Sequence, residues 1–223
     1  MIMGARVVQR ARRREDKEAR RRTIMEAALA LFEERRFAEV KMIDVARAAN
    51  LAKGTVFLYF PTKEALFLDI LEELLVDWLD EVNRNLDSGK GRWTSARVRR
   101  ILTETLVPRD SFIRLLGLIT NVLEENVDVK RVVAFKRRLL DLLNNTGGRL
   151  ERRLDFLGSG EGAHLILQIY AAVVGVKQLT DPGQVAREAL QRPELESLNL
   201  DFETELREFF LILLNGLERR AEK

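Results

Sequence analysis

The stretch MIDVARAANLAKGTVFLYFPTK, residues 42–63, decides how this chain folds. Within it Met42, Val45, Ala46 and Ala49 recur at i, i+3, i+4 and i+7, one face of an α-helix. Asn50 follows, and asparagine tolerates the left-handed backbone that turns a chain sharply. A second short helix is predicted from Lys53, with Val56 and Phe60 four apart on one side. Pro61 ends it, because proline disfavours the α conformation in the residue before it. Helix, tight turn and short helix make the helix-turn-helix pattern. Lys53, Gly54, Thr55, Phe57, Leu58 and Tyr59 are left on the outer face of the second helix. A cation, hydroxyls and aromatics mixed in this way suit a DNA groove better than a core.

On the N-terminal side, a helix is predicted from about residue 18 to 35. Ile24, Ala27, Ala28, Leu31 and Phe32 form its apolar stripe, facing the helix-turn-helix, and Phe37 anchors the connection. Arg20, Arg21 and Arg22 lie near its start, within reach of a DNA backbone. Residues 1–17 hold Arg6, Arg10, Arg12, Arg13, Arg14 and Lys17 without apolar periodicity, and read as a basic arm for phosphates. Charge divides accordingly. Residues 1–63 carry 15 Lys and Arg against 8 Asp and Glu, a net +7; the remainder carries 23 against 27, a net −4, and the two give the chain's +3. A polyanion partner is therefore expected for the N-terminal part only.

The same residues resemble the DNA-binding domain of the TetR family of transcriptional repressors. That family reads roughly Ala-Gly-Val-Ser-x-Gly-Thr-Leu-Tyr-x-His-Phe-x-x-Lys through the turn and recognition helix. The corresponding positions here run from Ala49 through Gly54, Thr55 and Phe60 to Lys63, followed by Glu64, Ala65 and Leu66. Asn50 takes the place of the turn glycine. Ala52 replaces a Ser or Thr, so the recognition helix lacks a side-chain N-cap, a loss of ~1 kcal/mol. Phe57 replaces a tyrosine whose hydroxyl reaches a phosphate in the family, so that contact is not carried over. Lys41 stands where the family has a small hydroxyl residue, and a phosphate contact is expected from it.

Past Pro61, Thr62 is placed to cap a long helix reaching about Leu86, carrying Ala65, Leu66, Ile70, Leu74, Leu75, Trp78, Leu79 and Val82 on its apolar side. Such a helix spans ~37 Å and continues from the DNA-binding segment into everything downstream. Residues 87–91 read as the loop that ends it. Further helices are predicted near 94–106, 109–125, 128–157, 161–179 and 201–220, with Gly147-Gly148 as a kink or break in the third of these. Residues 184–200 read as a loop with room for a short helix. No alternating strand pattern is present.

The fold class is therefore all-α: a three-helix helix-turn-helix domain, residues 18–63, after the arm, then a helical effector-binding and dimerisation domain, residues 64–223. Residues 165–176 are apolar almost all round, too short a run for a membrane span, and the last helix is apolar well beyond one face. Burial on two sides is needed. A bundle between two subunits supplies it, with Leu165, Ile169, Ala172, Val176, Phe202, Leu206, Phe209, Phe210, Leu213 and Leu217 as the candidate dimer interface. The family resemblance implies the same homodimer. It also implies a ligand-responsive domain, for which Phe67, Trp78, Phe112, Leu116, Phe135, His164, Gln168 and Tyr170 are candidate lining; their apolar bias favours a hydrophobic effector.

Enzyme chemistry has no constellation to stand on. His164 is the only histidine and has no metal-spaced companions. The run Gly158-Ser159-Gly160-Glu161-Gly162 lacks the lysine and hydroxyl of a phosphate loop and reads as helix punctuation. There is no cysteine, and residues 1–8 lack a signal-peptide core, so a cytoplasmic protein without cofactor or membrane partner is expected. The sequence as a whole reads as a homodimeric regulator, a repressor of a palindromic operator. Lys53 and Thr55 are candidates for reading base edges and Phe57 or Leu58 for a thymine methyl. Tyr59, Lys63 and the Gly54 amide are candidates for phosphates. A non-specific or architectural DNA-binding protein working through the arginine-rich arm is the alternative.

Overall fold

The computed structural model describes the backbone of residues 2–88 and 90–222 and the side chains of residues 15–88 and 90–222. Among the described residues there is no strand. The chain clusters into two compact units, one of Met1–Leu71 with Ile119–Val127 and one of Glu72–Leu118 with Asp128–Lys223. Along the sequence the first division falls after Leu71 rather than after Lys63, because Leu66, Phe67, Leu68, Ile70 and Leu71 are all buried.

The first unit begins with α1 (Ile2–Glu34), which buries Ile24, Met25, Ala28 and Phe32. The helix thus includes Glu15 to Lys17, which the sequence assigned to an arm; the side chains of residues 1–14, with most of that arm's arginines, lie outside the described residues. A 3₁₀ turn (Phe37–Glu39) leads to α2 (Met42–Ala48), α3 (Lys53–Tyr59) and α4 (Lys63–Ser88). Phe32 and Phe37 meet the ring of Phe67 edge-on at 5.4 and 5.1 Å, so the start of α4 is fixed to the elements before the helix-turn-helix. The Thr62 hydroxyl accepts the Ala65 amide at 3.0 Å, the cap expected of it. Residues 119–127 complete this unit through a π turn (Ile119–Leu123), in which the Glu124 amide donates to the Ile119 carbonyl at 2.9 Å and Ile119 and Leu123 are buried. Periodicity predicts one helix over 109–125; the structure divides it into a helix over Asp110–Leu116 and this π turn.

The second unit holds the rest of α4 together with α5 (Ser95–Leu106), α6 (Asp110–Leu116), α7 (Val129–Arg153), α8 (Glu161–Thr180), α9 (Gln184–Ala189), a 3₁₀ turn (Pro193–Leu198) and α10 (Phe202–Ala221). Thr94, Asp128 and Asp201 cap α5, α7 and α10. Trp78 packs on Phe112 with ring centroids 5.7 Å apart, and its indole N–H donates to the buried Thr105 hydroxyl at 3.1 Å. α10 runs antiparallel to α8: Arg220 near its end pairs with Glu161, while Lys177 sits 5.9 Å from the ring of Phe202 at its start.

Gly147 and Gly148 do not break α7. A Cβ on Gly147 would lie 2.4 Å from the Ala163 nitrogen, and one on Gly162 would lie 2.1 Å from the Gly147 carbonyl oxygen. The glycines let two backbones touch where α7 meets the start of α8. By length and composition α8 is apolar enough to cross a membrane. It packs instead against α6, α7 and α10, burying Leu165, Ile166, Ile169, Ala172, Val173 and Val176.

Candidate nucleic-acid interface

α2 ends in a Schellman turn. The Leu51 amide donates to the Ala46 carbonyl at 2.9 Å and the Asn50 amide to the Arg47 carbonyl at 3.1 Å, with Asn50 left-handed at φ 53°. No glycine is needed, as the tolerance of asparagine for this conformation predicted. Ala52 is the N-cap of α3 and offers no side-chain bond; only its carbonyl serves, accepting the Thr55 amide at 2.9 Å. Phe60, extended before Pro61, caps the other end and donates its amide to the Val56 carbonyl at 2.9 Å. A seven-residue helix is too short to persist alone, so packing and these flanking bonds hold it. Val56 and Phe60 are buried.

With that side fixed, the other is displayed. Leu58 is 84% exposed and Phe57 39%; Lys53 and Gly54 are exposed, and Thr55 and Tyr59 half-buried. The Lys53 ammonium lies 5.7 Å from the Phe57 ring, one turn along the helix. Nothing lies within 4 Å of where a Cβ on Gly54 would point, so no packing within the chain calls for glycine there. Lys41, the N-cap residue of α2, is exposed; its carbonyl accepts the Asp44 and Val45 amides at 2.9 and 3.1 Å. Its side chain makes no cap bond.

Two of the expected cations are used inside the unit. Lys63 donates to the Phe37 carbonyl at 2.7 Å and sits 4.2 Å from the Phe37 ring centroid. Burial lowers its pKa, opposed by the nearby Glu64 carboxylate. Arg21 pairs with Asp69 and stacks 5.3 Å from the ring of Phe60, the residue that closes α3. Neither contact is legible locally, because both partners are remote along the chain. Arg20 and Arg22 are exposed.

The remaining candidate residues divide. Trp78 and Phe112 come together in the second unit, where Leu116 and Phe135 are also buried. Phe67 belongs to the aromatic cluster of the first unit, and His164, in the second, is exposed. Gln168 and Tyr170 are half-buried. Among the dimer candidates, Leu165, Ile169, Ala172, Val176, Leu206 and Phe210 face their own subunit's core. Phe209 is 43% exposed, and Phe202, Leu213 and Leu217 are half-buried. Periodicity finds a stripe but cannot say which side of an all-round apolar helix meets its own core. Among the described residues no three His, Asp or Glu side chains gather in a group able to hold a metal.

Residues 24–70 match the family model for bacterial regulatory proteins of the tetR family, and residues 72–221 match that for the tetracyclin repressor-like C-terminal domain. The chain belongs to the TetR family. The first of these models is that of bacterial regulatory proteins, and the relatives matched are HTH-type transcriptional regulators. As a TetR-family protein it is 36% identical over 61 residues to the regulator EthR of Mycolicibacterium smegmatis and 34% identical over 61 residues to RutR of Escherichia coli. Each match covers 27% of this chain, and 27% and 29% of the relatives' own lengths. Among solved structures, the repressor FadR of Thermus thermophilus in complex with lauroyl-CoA is 25% identical, with a TM-score of 0.55 over 88% of this chain and 94% of that one. The fatty acid degradation regulator FadR of Bacillus halodurans shares the fold at 15% identity, with a TM-score of 0.56 over 87% and 94%.

Proposed function

We propose that this TetR-family regulator is a homodimeric repressor that reads a palindromic operator with α3 and leaves it when a largely hydrophobic effector binds the second unit. The observation that carries the DNA reading is the face of α3. Val56 anchors the helix, while Lys53, Phe57 and Leu58 are exposed and Thr55 half-exposed on a support fixed at both ends. Lys53 and Thr55 read base edges, and Leu58 or Phe57 a thymine methyl. Lys41 and Tyr59 hold phosphates, and the bare Cα of Gly54 allows a close approach of the duplex. A twofold pair of α3 helices requires half-sites one helical turn, or a multiple of it, apart.

Dimerisation is assigned to the outer sides of α8 and α10. Leu167, Ala171 and Gly175 on α8, and Phe209, Ile212 and Gly216 on α10, each recur at helical spacing on the exposed side. A Cβ on Gly175 or Gly216 would meet nothing in its own chain, which leaves room for a partner helix at short distance. For the effector, the apolar surroundings of Trp78 and Phe112 and the lauroyl-CoA bound by the Thermus repressor together support a long acyl chain. α4 carries the signal, since it runs from residues of the first unit into the second. A coupling of ~1–3 kcal/mol gives 5–150-fold regulation.

Selection from random duplex DNA with the full-length protein, near physiological salt, tests the reading. Enrichment of an inverted repeat is expected, and long-chain acyl-CoA should release the selected duplex. Binding without enrichment replaces this reading with the architectural one. A selected duplex that no acyl-CoA releases removes the acyl effector and leaves the operator reading in place.

A further inference from the structure

α9 and the 3₁₀ turn after it bury no side chain at all. Val185 is 83% exposed and Leu198 58%. The segment is nevertheless built. The Arg187 amide donates to the Gly183 carbonyl and the Leu195 amide to the Arg192 carbonyl, both at 2.9 Å, and the Arg187 guanidinium is held by Asp181 at 3.0 Å. Helical turns with apolar side chains and no core gain nothing from burial within their own chain. Their other exposed groups include the carboxylates of Glu188, Glu194 and Glu196.

The complementary surface is on the N-terminal half of α7. Val129 is 76% exposed, Val133 42% and Leu140 57%, and all three fall on one side of the helix. Lys130 and Arg137 flank them and are exposed. The exposed apolar side chains of α7 are edged by these cations, and those of segment 184–198 stand among three carboxylates and the guanidinium groups of Arg187 and Arg192.

We propose that residues 184–198 form an arm that docks on the α7 face of a second copy of this chain, an exchange that a twofold axis makes reciprocal. This rests on the homodimer reading above and adds to it a second contact, outside the α8 and α10 faces. The level is suitable. α7 and α8 are antiparallel neighbours that touch where Gly147 meets Gly162. Val133 lies about 21 Å and Lys177 about 23 Å along their helices from that point. The arm leaves the chain just beyond Lys177, at the level of Val133 on its own α7, and a twofold axis running along these helices keeps that level on the partner.

The chain has no cysteine, so single introduced thiols report the contact without background. Full-length Val133→Cys and Val185→Cys proteins, mixed and treated with a short bismaleimide, are expected to give a cross-linked pair that neither gives alone. Leu140→Glu is expected to weaken the dimer by at least about tenfold in sedimentation, since it places an unpaired carboxylate among apolar and acidic groups. A dimer that shows no cross-link between the two positions overturns the arm and leaves the homodimer standing. A cross-link formed within one chain of a Val133→Cys/Val185→Cys double variant also overturns it, as does an unchanged dissociation constant for Leu140→Glu. A protein that sediments as a monomer at every concentration overturns both readings.

Discussion

α3 and α10 both carry exposed apolar side chains, for opposite reasons. α3 has seven residues, and Val56 is the one it buries; Lys53, Gly54, Phe57 and Leu58 are exposed. α10 has twenty, buries Leu206, Phe210 and Leu214, and still exposes Ile212 at 65% and Phe209 at 43%. On α3 the exposed apolar groups are interleaved with Lys53, Gly54 and Thr55, the mixture that a groove of bases and phosphates accommodates. On α10 they adjoin one another and are accompanied by glycine, the mixture that a second apolar helix accommodates. The surface proposed for reading is thin and borrows its rigidity. The one proposed for assembly is the far side of a core.

The sharpest way to break this contrast lies in two adjacent phenylalanines. Phe210 is 1% exposed and Phe209 43%. Phe210→Ala is expected to cost ~3–5 kcal/mol of unfolding free energy in the second unit through lost burial and an unfilled cavity. Phe209→Ala should leave thermal unfolding of the dilute protein nearly unchanged and weaken self-association. If the two variants lose the same stability at low protein concentration, the outer side of α10 is part of the subunit core and its assignment to a partner fails.

Glycines sharpen the contrast next. Gly162→Ala forces a Cβ against the Gly147 carbonyl, and overpacking of this kind costs roughly 1–3 kcal/mol. Gly54→Ala meets nothing and adds helix propensity, so it should raise the midpoint of unfolding slightly while weakening operator binding. Gain of stability with loss of binding is the signature of a residue kept for an external partner. Unchanged operator affinity in Gly54→Ala would take the close approach of the duplex out of the account.

These cases show what the sequence could and could not convey. The left-handed turn at Asn50, the uncapped start at Ala52 and the cap at Thr62 were legible because each depends on residues within four positions of itself. The Gly147–Gly162 contact was not. A glycine pair inside a helix reads locally as a weak point, and only the crossing of α8 turns it into a necessity. The same limit hid the Arg21–Asp69 pair and the membership of residues 119–127 in the first unit. It also concealed which side of α8 and α10 faces inward.

Lys63 gives a smaller effect on the same divide, since its place after the recognition helix makes it a phosphate candidate and its contacts hold it in the fold. Its ammonium is engaged with the Phe37 carbonyl and ring. Lys63→Met is expected to lower stability by about 1 kcal/mol and to leave the slope of log affinity against log salt unchanged. Lys41→Ala, at an exposed site, should keep stability and reduce that slope by about one. A reduced slope for Lys63→Met at unaltered stability would return it to the phosphate contacts.

The smallest effect separates the caps by chemistry. α4 starts on the hydroxyl of Thr62, while α10 starts on the carboxylate of Asp201, which accepts the Thr204 amide at 2.9 Å and its hydroxyl at 2.8 Å. Those bonds hold the Asp201 pKa below its ordinary 3.8, and the Gly158 amide at 2.8 Å does the same for Glu161 ahead of α8. For a carboxylate with a depressed folded pKa, the stabilisation is complete above the unfolded value and is lost as pH falls through the folded one. Acid below the ordinary carboxylate range should therefore release the Thr204 and Gly158 amides to hydrogen exchange, after correction for intrinsic rates. Ala65, capped by Thr62, should stay protected, and so should Arg97, whose amide donates to the Thr94 hydroxyl inside the second unit. If Arg97 opens together with Thr204, the whole second unit is loosening in acid. If Arg97 holds while Thr204 opens, the carboxylate cap alone is responsible, and the acid sensitivity of the start of α10 belongs to one residue rather than to its unit.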